Sequence, residues 1–179
     1  MTVSGATRAA GALITCEQVR SAAEIADHHT IRHQVFVVEQ GLFAGSDGDA
    51  HDDDPATIRL LGRYDGVPAG SVRLYELEPD RGLWQGDRLA VLPPYRVLGV
   101  GAPLVHCAVA LAGAHAGSTM LAHIQLASVA FFTRLGWHCS GPVEIYAGRP
   151  HQPMSIALPP VAAGARIAQE LRNGVRSGR

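Results

Sequence analysis

The sequence predicts a single α/β domain, a mixed β-sheet flanked by helices, and three observations predict it. Its 179 residues are the size of one ordinary domain. Strand-like and helix-like stretches follow in the order β, helix, β-β, β, α, β, α, β, β, which makes an α/β sandwich with both antiparallel and parallel pairing. Asp65-Gly66 is a strong turn signal between two β-branched runs, so at least one hairpin is antiparallel.

The elements follow in chain order. A first strand is expected over 13–19, short and apolar. Ser21 with Glu24 three residues on fits a capping box, so a helical region starts there. Ile31, Val35 and Val38 carry its apolar period to about Gln40, with a break expected around His28, His29 and Thr30. Residues 41–55, rich in Gly, Asp and Ser, read as a loop. Strands are expected at 57–64 and 69–77, a loop at 78–86, and a strand at 87–92 that Pro93 and Pro94 stop. A glycine-rich corner at 96–102 opens an alanine-rich helix to Ala114. A strand at 120–124, a helix at 126–135 capped by Gly136, and strands at 143–146 and 154–158 complete the domain, 1–158. Residues 159–179 hold Arg166, Arg172, Arg176 and Arg179 against Glu170 and read as a loose basic tail, with a short amphipathic helix over 162–171 as the alternative.

Composition narrows the chemistry. With 47% apolar and 17% charged residues the chain can build a core without a metal or disulfide. Its formal charge of -1 gives no general attraction to nucleic acid, and no apolar stretch is long enough to span a membrane. All 15 basic residues are arginines, which excludes Schiff-base lysines and a phosphate-loop lysine. Three cysteines without C-x-x-C spacing fit a reduced, cytoplasmic setting, and the first sixteen residues do not read as a secretory leader.

The strongest local signal is Arg96-Val97-Leu98-Gly99-Val100-Gly101-Ala102 between a strand and a helix. Small residues at 99, 101 and 102 permit close backbone approach, and the first helical N–H groups lack partners, so the corner is suited to a phosphate. Taken alone it is equally a packing corner. This R-x-x-G-x-G-A run, the QLASVAFFTRLGW stretch at 125–137, and IRHQVFVVEQGLF at 31–43 with RPHQPM at 149–154 together resemble the GNAT superfamily of N-acetyltransferases, in its ElaA-like branch.

The resemblance implies acetyl-CoA as cosubstrate and a small-molecule or peptide primary amine as acceptor, with no metal; a homodimer stays open. It implies that Arg96 to Ala102 hold the pyrophosphate, that pantetheine lies beside Leu89 and Val91, with a backbone N–H near Val91 taking the thioester carbonyl, and that Gln125 and Phe132 line the cosubstrate site. Phe132 departs from the family pattern, which has a tyrosine there as thiolate acid; a phenyl ring donates nothing. Either water protonates the thiolate, or another donor such as Tyr146 does, or the site only binds acyl-CoA. An acyl homoserine lactone synthase is a third reading, on the Arg32-x-x-Val35-Phe36 run.

Glu39 and His151 are the catalytic candidates, each with a structural alternative: Glu39 as an acceptor for loop N–H groups, His151 as a hydrogen-bonding strand residue. His123, Glu76 and Glu144 carry less weight. Asp47, Asp49, Asp52, Asp53 and Asp54 read as a solvated acidic loop or a rim attracting a cationic amine; they lack the glycine and closing glutamate of a calcium loop. His28, His29 and His33 lack a carboxylate or cysteine partner at zinc spacing, and Cys107 reads as core.

Overall fold

The computed structural model describes residues 11–177. The first ten residues, on which the expected lack of a leader partly rests, and the last two lie outside it. β1 (Leu13–Gln18) leads into α1 (Ala22–Arg32), whose start is the expected capping box. Ser21 Oγ accepts from the Glu24 N–H at 3.2 Å, and the Glu24 carboxylate accepts from the Ser21 N–H at 3.0 Å. The helix does not break near His28. It continues to Arg32 and widens into a π-helical stretch over His33–Glu39, where the Gln40 N–H reaches back to the Val35 carbonyl. The wider turn carries Glu39 and Gln40 off the buried stripe formed by Ile31, Arg32, Val35 and Phe36.

β2 (Ile58–Tyr64) and β3 (Val67–Glu78) form the antiparallel hairpin, with Asp65 at φ 47° and Gly66 at φ 82°, the two left-handed residues of a tight turn. β4 (Leu83–Val91) begins four residues earlier than expected, because the loop ahead of it shrinks to a short turn over Pro79–Arg81. α2 (Pro93–Arg96) and α3 (Gly101–Ala114) flank the glycine corner; β5 (Thr119–Gln125) and α4 (Val129–Arg134) follow. β6 (His138–Cys139), unexpected from the sequence, and β7 (Glu144–Tyr146) both pair with β8 (Arg149–Ala157). β8 also begins earlier than expected. Pro153, which has no N–H to donate, falls between the stretch that β7 covers and the stretch that β6 covers.

α5 (Val161–Asn173) and β9 (Val175–Arg176) correct the reading of a loose tail. Leu171 is buried in the main core, and Gly164 lets α5 lie on α3 so closely that a Cβ there would sit 2.5 Å from the Ala110 carbonyl oxygen. β9 pairs with β1 at the sheet edge. The apolar face of this helix decides its place, while Arg166 stays outside and bonds Glu170 at 2.6 Å. The domain therefore includes the segment expected to be separate from it.

Among the described residues nine strands form one sheet in the order β6-β8-β5-β4-β3-β2-β1-β9, with β7 also on β8; β4 and β5 are parallel and the other neighbours antiparallel. α3 is seated by its Leu104, which lies on two cross-strand glycines, Gly62 and Gly70; a Cβ at either would come within 3 Å of it. That seat fixes where the first turn of α3 meets the end of β4. Among the described residues no helix is long and apolar enough to cross a membrane.

Truncating Leu171 to alanine is expected to lower unfolding stability by about 2–4 kcal/mol, the usual loss for a buried leucine. A urea midpoint equal to wild type would restore the loose-tail reading.

Candidate active site

β4 and β5 pair only over 83–85 and 119–121. Beyond that, β4 keeps its ladder with β3 to Val91 and β5 keeps its ladder with β8 to Gln125, so the two strands part and leave a cleft of about 530 Å³. The ladder between β3 and β4 slips here: Ser71 faces Ala90 but Arg73 faces Asp87, so β4 has one extra residue. This bulge, with Arg88 at φ 52°, leaves a backbone unit beside the cleft outside the regular pairing.

At one end lies the glycine corner. Gly99 is left-handed at φ 84°, with open space where a Cβ would be, and a Cβ at Gly101 would lie 3.4 Å from Phe131. The α3 amides at Gly101 and Ala102 have no carbonyl within the helix to bond, and Pro103 brings no donor. Leu89, Val91, Arg96, Gly99, Gly101, Ala102, Gln125, Phe132 and His151 all line the cleft. Val97 and Val100 do not: Val97 is 90% exposed and Val100 is buried in the core, and Leu98 also stands outside the lining.

Arg96 does not reach out alone. Its guanidinium takes the Glu39 carboxylate in two bonds of 2.7 and 2.6 Å, and its Nε donates to the Val91 carbonyl at 2.9 Å. The hydrogen bonds from Arg96 hold Glu39 below the usual carboxylate range. Gln40, which sequence reasoning missed, extends this tie: its side chain accepts from Gln125 at 3.0 Å and its carbonyl accepts from Arg149 at 2.8 Å. The end of the π-helical stretch is thus bonded to three walls of the cleft.

Opposite the corner, His151 is buried, and its Nδ1 lies 2.8 Å from the Arg149 carbonyl. A carbonyl only accepts, so Nδ1 carries a proton, and in the neutral tautomer the lone pair belongs to Nε2. Tyr146 packs edge-on to His151 and face-on to His123 at 4.4 Å, and His123 Nε2 lies 2.8 Å from Glu144. Sequence spacing gave His123 and Glu144 little weight because β7 brings them together from 21 residues apart.

The acidic loop is the main correction. Asp47, Asp49 and Asp52 are not a solvated rim: with Asp87 they enclose Arg32, Arg73 and Arg88, of which Arg32 and Arg73 are almost wholly buried. Arg73 bonds both Asp49 oxygens at 2.7 and 2.8 Å and both Asp87 oxygens at 2.8 and 2.6 Å. Arg59 adds bonds to the carbonyls of His51, Asp52 and Thr57. Asp53 and Asp54 stay at the surface, and Asp49, though paired, keeps part of its carboxylate exposed. Among the three nearby histidines His28 is buried while His29 and His33 face outward, so they do not converge on one point.

Residues 23–137 match the family model described as the acetyltransferase (GNAT) family. The chain belongs to that family. Its fold is similar to that of Escherichia coli ElaA, with a TM-score of 0.70 at 21% identity over 79% of this chain and 98% of that one. An acyl-CoA N-acyltransferase from Pseudomonas aeruginosa gives 0.64 at 22% over 80% and 98%. BjaI, a CoA-dependent acyl-homoserine lactone synthase solved with SAM and isopentyl-CoA, gives 0.67 at 16% over 91% and 89%. No curated protein matches the sequence. As a GNAT protein the chain is an acyltransferase whose cosubstrate is an acyl-CoA, and the parted strands with a small-residue corner at one end suit that cosubstrate.

Two pH effects follow from the buried groups. Burial, then the nearby Arg32 charge, pushes His28 down to about 3, while in the unfolded chain it titrates near 6.5. The unfolded state therefore binds the proton first, and stability falls as pH drops below about 6.5, by roughly 2 kcal/mol at pH 5. Burial alone would raise Asp49 and Asp52, but bonds from Arg73 and Arg32 lower both, so a second loss begins only below about pH 4. Urea unfolding of wild type and His28→Leu at pH 7 and 5 checks the first effect: the variant should lose most of the pH dependence in that window. An equal slope in both proteins would exclude His28 as its source.

Proposed function

We propose that the protein transfers an acetyl group, or a closely related acyl group, from acyl-CoA to the neutral form of a primary amine, in a cytoplasmic setting. The observation that carries this reading is the cleft itself, lined both by unpaired helix amides and by the buried His151 imidazole, whose Nδ1 is bonded to the Arg149 carbonyl. Thioester aminolysis needs a neutral amine, alignment and donors for the developing oxyanion; the thioester is already activated.

In this reading the α3 amides and the glycine corner hold the pyrophosphate. The Arg96 guanidinium remains tied to Glu39 and the Val91 carbonyl, a neutral pair that leaves the pyrophosphate to the backbone amides. Backbone N–H groups at the β4 bulge orient the thioester carbonyl. His151 Nε2 accepts the proton from the amine, since its other nitrogen is held in the donor state by Arg149. Glu39 is the poorer base: protonating it would break a bidentate charge-assisted pair, so its role is to hold Arg96. Phe132, stacked edge-on with Phe131 and Trp137, supplies no proton, and the thiolate leaves without a side-chain acid, which costs little for a leaving group of thiol pKa.

A CoA-release assay with acetyl-CoA over a panel of amines tests the reading. His151→Asn is expected to lower turnover about a hundredfold with acyl-CoA binding intact, the usual range for a general base. Glu39→Gln should cost less than tenfold in turnover, and Phe132→Tyr should likewise change it less than tenfold. Gly101→Val, whose methyl groups would enter the cleft toward Phe131, should weaken acetyl-CoA binding by about 2 kcal/mol, judged from charge-assisted bonds lost. Wild type that binds acetyl-CoA yet releases CoA to no amine would turn the reading into that of a binding module.

A further inference from the structure

Two thiols that the transfer reaction does not use meet between β1 and α3. Cys16 and Cys107 are each 1% exposed, and the Cys107 thiol donates to the Cys16 carbonyl at 3.7 Å. Burial, then a hydrogen bond between the two side chains, pushes the Cys16 thiol well up, so the sulfurs are also neighbours of one another. They face away from the cleft. Val105 and Ala108 of α3 line the cleft, whereas Cys107 and Leu111 line a second cavity of about 220 Å³, bounded by Cys16 on β1 and by Ala165 and Ala168 on α5. A molecule of liquid water occupies about 30 Å³, so this cavity has room for an oxidant as small as hydrogen peroxide to reach both sulfurs.

Glycine brings α3 this near to β1. Cys16 stands opposite Gly62 in the β1–β2 ladder, and Leu104 lies on Gly62 and Gly70 with no space for a Cβ at either. Cys107 follows Leu104 by three residues, on the same face of the helix, and so comes down beside that seat. A disulfide requires Cα atoms about 4.4–6.8 Å apart, and an approach of that kind is favoured where the sheet presents no side chain of its own. The seat is also a fulcrum. Gly101 and Ala102, whose amides open the glycine corner, precede Leu104 as closely as Cys107 follows it.

We propose that Cys16 and Cys107 are an oxidant-responsive pair: a hydroperoxide joins them in a disulfide, which tips α3 about Leu104 and loosens the corner that holds acyl-CoA. Cys107 loses its proton to water, and its sulfur displaces hydroxide from hydrogen peroxide to give a sulfenic acid. The Cys16 sulfur then displaces hydroxide from that sulfenic acid as its own proton leaves. Two thiols and one peroxide thus become one disulfide and two waters. Because Leu104 already touches both glycines, α3 cannot follow the pull by sinking as a whole. Its Cys107 turn moves toward β1, and the first turn, on the other side of the fulcrum, moves off the sheet. The bridge is independent of the acyl-CoA reading above; its effect on affinity rests on that reading.

The experiment uses a Cys139→Ser chain, which lacks the exposed third thiol. After treatment with hydrogen peroxide, digestion without reductant should yield a peptide pair bridged between Cys16 and Cys107. Calorimetry should then show acetyl-CoA binding weakened about fivefold or more, the lower end of coupling between distinct sites, and dithiothreitol should restore it. That reversal separates the bridge from methionine oxidation, which dithiothreitol leaves in place. Cys107→Ala in the same background should bind acetyl-CoA like the reduced protein and not respond to peroxide; should it not fold, Cys16→Ala makes the same test. Two free thiols after prolonged treatment, or oxidised sulfurs without a bridge, overturn the pair. A bridge with unchanged affinity overturns the fulcrum. Reduced protein that binds no acetyl-CoA overturns the acyl-CoA reading, and with it the effect on affinity, whatever the thiols do.

Discussion

The early end of one parallel ladder governs this molecule. β4 and β5 share backbone hydrogen bonds over three residues and then part, which leaves two strands whose inner edges no longer satisfy each other. Both stay ordered because each has a full antiparallel partner on its outer side, β3 for β4 and β8 for β5. The opening is therefore a property of the sheet, with no loop needed to hold it, and it is as rigid as the strands that flank it. The bulge at Arg88 occurs on the same strand, where slippage against β3 bends β4 away from β5.

What keeps that bent strand in place is ionic. Asp87 and Arg88, adjacent on β4, join Arg73 on β3, Arg32 on α1 and three aspartates of the 41–55 loop in one network. Buried charges repay their desolvation only when their bonding capacity is filled, and here Arg73 has both faces of its guanidinium fork occupied by carboxylates. Such a network adds little net stability over an apolar core of equal volume. Its effect is positional: it locks α1, the loop and the bulge to one another, and Glu39 and Gln40, carried at the end of the same helical region, then tie to Arg96, Gln125 and Arg149 across the cleft.

Most elements were legible in the sequence because their signals are local. The capping box at Ser21 and the Asp65-Gly66 turn each depend on a few adjacent residues, and both stand in the structure as read. The glycine corner was legible for the same reason. What was not legible depends on distant partners. The five aspartates look solvated when read along the chain, and only the fold brings Arg32, Arg73 and Arg88 to three of them, Asp47, Asp49 and Asp52. The C-terminal helix looked loose because its arginines outnumber its acids, whereas its placement is set by Gly164 and Leu171 against α3. Glu39 was read as a base for lack of any sign that Arg96, 57 residues later, would claim it.

The division of labour in the cleft follows from register. Along β5 the residues that face α3 and α4 are Met120, Ala122 and Ile124, and those between them include His123 and Gln125. Because side chains alternate with a period of two, a slip of one residue against β8 would exchange these sets, burying an imidazole and an amide among Val105, Phe132 and Trp137 and exposing a methionine. The cost of burying those polar groups makes the observed register the stable one. The same hydrophobic requirement that builds the core thus sorts the cleft into an apolar side and a titratable side. The alternation of β5 carries across its ladder to His151 of β8, opposite Gln125, so one register places the imidazoles of both strands on the same side of the cleft.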